Sequence, residues 1–325
     1  MQIVTAFFRL IRIWNILIIA ISISFFYYLI IVPVHKGILS STLVPFTHIE
    51  FILFTLSVVL IAAAGNIIND YFDFELDKEF KPERPIASGI ISLNTALYIH
   101  AAFVFSGIAL GFYLGWTIDN YKIGYLYVIC ALLLYLYSAF LKKIPLAGNL
   151  VISALAAFVF VLPVIFDAVY LNAIHAQNIF ENTGYAFNVL LWQMKFYAGF
   201  AFLATLAREI VKDLEDKEGD AEYDINTIAV QFGAVAAKII AAMVILSLLA
   251  GLAYFIQSFY VVKATKEFLY LGICVAAPVL AALVFLLTAK QNRDYTRVSM
   301  FLKIIMLLGI FSIPAFYLFS KTTNL

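Results

Sequence analysis

Residues 49–77 read IEFILFTLSVVLIAAAGNIINDYFDFELD. The stretch is almost wholly apolar as far as Ile68, and then Asp70, Asp73, Glu75 and Asp77 follow in close order. About 20 mostly apolar residues are enough to carry a helix through a bilayer. Eight further runs of this kind lie near 14–34, 93–116, 122–141, 147–168, 189–211, 234–257, 267–289 and 299–319. Open sheet edges cannot face lipid, so all nine runs are predicted helices. The expected fold is all-α, an integral membrane bundle of nine transmembrane helices, with residues 1–325 as a single domain.

Composition points the same way. Hydrophobic residues make up 64% of the chain and charged residues 13%, and the mean hydropathy is +0.99. Soluble domains run at about 45–50% apolar and about 25% charged. This excludes a soluble enzyme, a disordered chain and a secreted disulfide scaffold. A net charge of +1 lacks the basic footprint that nucleic acid requires. Cys130 and Cys274 sit in apolar runs, at no metal-binding or disulfide spacing. The first run follows Arg9 and Arg12 but is too long for a signal-peptide core and has no small-residue cleavage site, so it reads as a retained span. The segment 169–188 is polar and aromatic and is expected to lie along the interface as an outer loop.

Charge placement gives an orientation. With the N-terminus inside, 15 of the 21 Lys and Arg residues fall on the inner flanks of the spans. The positive-inside rule then puts the N-terminus and the loops after spans two, four, six and eight in the cytoplasm.

Most of the acids fall in two segments, 65–89 and 208–220, with the aspartate motifs at 66–77 and 213–220. Asp70, Asp73 and Asp77 are spaced three and then four apart, and Asp213, Asp216 and Asp220 repeat the pattern 143 residues later. Each triplet ends an even-numbered span, which reads as two pseudo-repeats. Residues three, four and seven apart share a helix face. Asn69, Asp73 and Asp77 therefore form one ridge, and Asp216 and Asp220 another. Like charges in that register repel unless a cation neutralises them. Facing each other, the ridges would form a divalent-cation site, and their oxygen donors suit Mg²⁺. The plainer reading is that both clusters are solvated helix ends.

The first segment resembles the NDxxDxxxD signature of the UbiA superfamily of intramembrane prenyltransferases, with the trailing RPxxSG present as Arg84, Pro85, Ser88 and Gly89. The second is similar to that family's DxxxD motif, at Asp216 and Asp220. Residues 137–149 (YSAFLKKIPLAGN) and Arg12-Ile13-Trp14-Asn15 are further matches. The sequence departs from the pattern at Asp224, where many members carry Gly, which leaves the turn after the second motif open. The phrases NIINDYFDFELDKEFKPERPIASG and REIVKDLEDKEGD are most similar to the (geranylgeranyl)glyceryl phosphate prenyltransferases.

The resemblance implies Mg²⁺-dependent transfer of a prenyl group from a polyprenyl diphosphate to an amphipathic acceptor, with a (geranylgeranyl)glyceryl phosphate favoured. It implies that Asn69, Asp73, Asp77, Asp216 and Asp220 hold the metal. Asp70 and Asp213 are either further ligands or acceptors that orient water around it. Arg84, Lys142, Lys143, Arg208 and Lys212 are candidates for the phosphates. Tyr137, Tyr71 and Tyr135 are candidates to stabilise an allylic cation through their ring faces. Simpler readings stand beside these. Lys142 and Lys143 also serve as topology determinants, Arg208 and Lys212 lie on the face of Asp216 and are placed to pair with acids, and the four His residues read as packing or interfacial. An aromatic acceptor of the quinone, tocopherol or chlorophyll kind is the enzymatic alternative. A secondary transporter is the alternative from another class, but transporter sites favour the midplane, whereas these acids terminate spans. No obligate protein partner is evident.

Overall fold

The computed structural model describes residues 2–38, 44–175 and 183–323. Among them there are helices and turns and no strand. Among the described residues, nine helical stretches are long and apolar enough to cross a membrane: Ile13–Gly37, His48–Phe72, Leu93–Thr117, Tyr121–Ala139, Ala147–Asn172, Gly184–Glu215, Gly233–Val261, Thr265–Thr288 and Asn292–Thr322. The segment expected as an outer loop at 169–188 is helical up to His175 and again from Thr183. Residues 176–182 lie outside the described residues.

Local chemistry accounts for where the spans begin and bend. Glu50, the one acid in the early part of the second span, completes a capping box with Thr47. Thr47 N–H donates to Glu50 Oε2 at 2.8 Å, and Glu50 N–H to Thr47 Oγ1 at 3.3 Å. Ser92 caps the third span through its hydroxyl alone, accepting from Thr95 N–H at 3.1 Å. Two spans contain a wide π turn, Tyr27–Ile31 and Leu271–Ala276. Each precedes a proline, Pro33 and Pro278. A proline ring cannot donate to the carbonyl four residues back and clashes with it. The wider register, closed by Val32 N–H to Tyr27 O and Ala277 N–H to Gly272 O, absorbs the clash.

The chain divides into two compact units. One comprises Met1–Ser24, His35–Leu141 and Leu162–Phe187, the other Phe25–Val34, Lys142–Val161 and Asn188–Leu325. In the first unit, spans two, three and four pack through small residues, which let helix backbones approach closely where no hydrophobic force drives them together. A Cβ on Gly65 would lie 2.8 Å from Leu134 Cδ2, and one on Gly107 2.8 Å from Ile61 Cδ1. In the second unit, Phe26, Phe160 and Tyr197 form an aromatic cluster with ring centroids 5.5–6.0 Å apart. The Tyr197 hydroxyl meets Ser312 Oγ at 3.1 Å, so the polar end of a buried ring is satisfied. Lys238 Nζ reaches the carbonyls of Leu287 and Ala289, at 3.2 and 2.8 Å, where the eighth span ends. One acidic segment belongs to each unit.

Candidate active site: two acidic segments

In the first unit the second span ends at Phe72, and a short helix, Phe74–Phe80, follows. Asp73 is the joint, at φ −84° and ψ 1°. The backbone ladder runs through it, since Asp73 N–H bonds Asn69 O at 3.0 Å and Asp77 N–H bonds Asp73 O at 2.8 Å. The expected ridge therefore survives the break, and Asn69 Nδ2 donates to Asp73 Oδ2 at 2.8 Å. Asp70 and Asp77 are buried, at 4% and 1% exposure.

Buried carboxylates need partners, and two arginines supply them. Arg12 Nη2 lies 2.9 Å from Asp70 Oδ1. Arg84 Nη1 lies 2.6 Å from Asp77 Oδ2, 3.3 Å from Asp70 Oδ1 and 4.0 Å from Asp73 Oδ2. Arg12 itself sits in a left-handed conformation, φ 52°, between the helices Gln2–Leu10 and Ile13–Phe26. Asn66 pins that break by donating to Ile11 O at 2.9 Å. The first acidic segment thus holds the N-terminal turn at two points, a role that the sequence did not disclose for Arg12.

Burial pushes the Asp77 carboxyl up to about 6, against the opposing pull of the Arg84 guanidinium. Burial alone would lower Arg84, but Asp70, Asp77 and Asp73 outweigh it and raise the guanidinium.

The second unit repeats the backbone and changes the partners. The helix Thr183–Glu215 ends, Asp216 stands at φ −88° and ψ 5°, and Lys217–Glu222 follows. Asp216 N–H bonds Lys212 O at 2.9 Å and Asp220 N–H bonds Asp216 O at 3.0 Å. Asp213 Oδ2 accepts from Asn149 Nδ2 at 2.9 Å. Arg208 turns to Glu209, 2.6 Å away, and not to the acids further along its helix. Lys212, Asp216 and Asp220 are half-buried. Asp224 adopts φ 53°, the left-handed region that glycine enters freely and Asp tolerates better than most residues. The position where the sequence departs from the family pattern thus has a backbone conformation that glycine would also adopt.

The remaining candidates lie elsewhere on the two units. Lys142 is half-buried and Lys143 exposed, in the single turn Leu141–Lys143. Tyr137 and Tyr71 are half-buried. Tyr135 is 42% exposed and packs edge-on against Phe72, with centroids 5.6 Å apart. His100 Nδ1 meets the Ala64 carbonyl at 3.0 Å, which is a packing role. His35 is different: its Nε2 lies 2.6 Å from Asp167 Oδ1, and the two side chains are 1% and 0% exposed. Sequence reading passed over this pair, although an acid inside the run VFVLPVIFDAVYL was its signal.

Among the described residues no three His, Cys, Asp or Glu side chains converge closely enough to hold a metal ion. In the first segment Arg84 lies among the carboxylates. The donors are nevertheless hard oxygens of the kind Mg²⁺ takes. Asp77 Oδ1 and Asn69 Oδ1 are buried without a hydrogen-bond partner, so their lone pairs are uncommitted. The residues fit the ion in donor type, and would have to draw together to enclose it.

Three comparisons bear on this arrangement. The digeranylgeranylglyceryl phosphate synthase of Methanothermobacter thermautotrophicus is 34% identical over 82% of this chain and 85% of its own. A solved structure described by its digeranylgeranylglyceryl phosphate synthase superposes with a TM-score of 0.64 at 26% identity, covering 96% of this chain and 98% of that one. A UbiA homolog from Archaeoglobus fulgidus bound to GPP and Mg²⁺ shares the fold, with a TM-score of 0.54 at 17% identity over 95% of this chain and 99% of that one. The family model for UbiA prenyltransferases matches residues 30–307. That match contains both acidic segments and the turns that carry them, and the chain belongs to the UbiA prenyltransferase family.

Proposed function

We propose that this membrane protein transfers a prenyl group from a polyprenyl diphosphate to the hydroxyl of a prenylated glyceryl phosphate, and that geranylgeranylglyceryl phosphate is the acceptor. The observation that carries this reading is the repeated joint at Asp73 and Asp216, which turns two runs of oxygen donors out of the ends of two apolar helices. The naming of the 34% identical relative supports the acceptor.

In this reading Asn69, Asp73, Asp77, Asp216 and Asp220 hold Mg²⁺, while Asp70 and Asp213 order the surroundings. Bound Mg²⁺ supplies charge neutralisation to the diphosphate, without which it is a poor leaving group. Arg84, Lys142, Lys143, Arg208 and Lys212 are the cations available to phosphate oxygens, and the guanidiniums orient them through two N–H groups at once. Tyr137 presents a ring face to the developing allylic cation. Apolar side chains of the spans take the prenyl tail and keep water from the cation.

The cytoplasmic side is assigned to the acidic ends by the excess of Lys and Arg on that flank. We take the two units as one catalytic domain that needs no protein partner. Purified protein with Mg²⁺, labelled geranylgeranyl diphosphate and a panel of acceptors tests the reaction. Mass analysis should find digeranylgeranylglyceryl phosphate. A prenylated hydroxybenzoate or dihydroxynaphthoate in its place would overturn the acceptor, and flux without diphosphate release would indicate a transporter. A cysteine at Lys81 should be labelled only from the cytoplasmic face.

A further inference from the structure

We propose that Arg84 is the resident counter-cation of the first acidic segment and that Mg²⁺ binds there by displacing it. The proposal rests on the metal-dependent reading above and deepens it.

One atom, Arg84 Nη1, lies 2.6 Å from Asp77, 3.3 Å from Asp70 and 4.0 Å from Asp73. The guanidinium therefore stands between carboxylates that a cation would otherwise neutralise, although the three do not converge on one point. Mg²⁺ draws its oxygen ligands to about 2.0–2.1 Å in a near-octahedral shell. A guanidinium nitrogen already 2.6 Å from an Asp77 oxygen would crowd that shell and repel the ion. Asp77 Oδ1 and Asn69 Oδ1 stand buried and unbonded beside it, so the arginine leaves part of the donor set unused. It neutralises the cluster without satisfying it.

The two arginines have different freedom to leave. Arg12 is held by the turn that Asn66 pins, and it contacts Asp70 alone among the acids. Arg84 lies in the turn region that follows the helix Phe74–Phe80, ahead of Gly89 at φ 75°; its side chain is 23% exposed against 31% for Arg12, so the difference lies in the backbone setting and not in exposure. Departure of Arg84 would leave Asp70 neutralised by Arg12 and would free Asp73 and Asp77 for the metal. Asp70 is then a fixed anchor and not a ligand. The released guanidinium is free to meet phosphate oxygens, so the arrival of metal and diphosphate would be coupled through one side chain.

The test uses the full-length protein in detergent with Mn²⁺ as a paramagnetic probe and no diphosphate. Competition predicts that Arg84→Gln binds Mn²⁺ at least about tenfold more tightly than wild type, the effect of removing one close like charge. Arg84→Lys keeps the charge and should remain near wild type. Weaker binding or unchanged binding in Arg84→Gln would overturn the proposal, because an arginine that only orients the carboxylates helps the metal. Wild-type protein gives a second measurement that does not depend on a variant folding. Phenylglyoxal modification of Arg84, followed by peptide mass analysis, should speed up by about threefold or more when Mg²⁺ is added. Unchanged or slower modification would refute displacement. The functional reading fails separately, if wild-type protein with Mg²⁺ releases no diphosphate from any prenyl donor.

Discussion

The two acidic segments share a backbone and differ in what neutralises them. Asp73 and Asp216 stand at nearly the same φ and ψ, each between a long apolar helix and a short polar one. In the first segment, arginines from outside the helix compensate the acids, Arg12 at Asp70 and Arg84 at Asp77. In the second, Asp213 is held by the neutral amide of Asn149, and the nearby Arg208 is committed to Glu209. The same spacing therefore supports two electrostatic designs. One is internally compensated; the other holds a carboxylate with a neutral donor. The comparison teaches that the aspartate register sets where oxygens point, and that residues outside that register, near in sequence (Arg84) or far (Arg12, Asn149), set how strongly a cation is wanted there.

The largest expected effect tests whether the two segments are equivalent in function. Asp73→Ala and Asp216→Ala should each lower turnover by about 10²–10³-fold, the usual loss when one group stabilising transition-state charge is removed. If Asp216→Ala stays within about threefold of wild type, under 1 kcal/mol of barrier, the second segment is a solvated helix end and the equivalence is broken.

Next comes the difference in partners. Arg12→Gln removes a charged partner from the buried Asp70 and should destabilise the protein by about 1.5–3 kcal/mol. Asn149→Leu removes a neutral donor and should cost closer to 1 kcal/mol. Thermal unfolding of the two variants at one pH ranks them, and the reverse order would contradict the distinction between charged and neutral compensation.

The third effect belongs to the first segment alone. The folded protein holds the Asp77 carboxyl at about 6, above its ordinary value of 3.8, so folding favours the protonated form there. The associated stability is fully present below pH about 4 and is lost as pH rises through about 6. Metal-free protein should show this slope in Tm, and Asp77→Asn should flatten it. Mg²⁺ must displace the same proton, so its stabilising effect should fade below pH about 6.

The smallest effect concerns the second segment's turn. Asp224→Gly relieves a left-handed backbone, φ 53°, at the cost of a more flexible unfolded chain. The balance should raise stability by less than about 1 kcal/mol, with turnover unchanged. A clear loss would assign the Asp224 side chain a contact of its own.

Much of this was legible in the sequence, because hydropathy and the three-four spacing are local properties. Nine spans and the ridge Asn69–Asp73–Asp77 follow from counting. The ends were harder to read. The sixth span runs to Glu215, beyond the apolar run near 189–211, since a helix continues past its lipid-facing part as long as its backbone bonds are met. The joints at Asp73 and Asp216 carry no glycine or proline to announce them. The partners were not legible at all: Arg12 with Asp70 spans 58 residues, Asn149 with Asp213 spans 64, and His35 with Asp167 spans 132. Such pairs follow from how helices neighbour one another in space, which periodicity along a single helix does not encode. Arg208 could be placed on the face of Asp216, yet it took the adjacent Glu209, an acid closer to hand.

The pair His35–Asp167 has a consequence for how the protein is made. Both side chains are sealed within membrane-spanning helices. An Asp at the centre of a span costs about 2.5–3.5 kcal/mol to insert by itself, which is an upper bound for Asp167 near the end of the span Ala147–Asn172. The helix with His35 is synthesised first and waits for a partner 132 residues behind it. At about 5–20 residues per second that delay is roughly 7–26 s. Until the fifth span emerges, the imidazole must stay near water or borrow another polar group. The meeting of these two side chains therefore has to wait for the fifth span, about halfway through synthesis, and a nascent chain stalled before residue 167 would lack it.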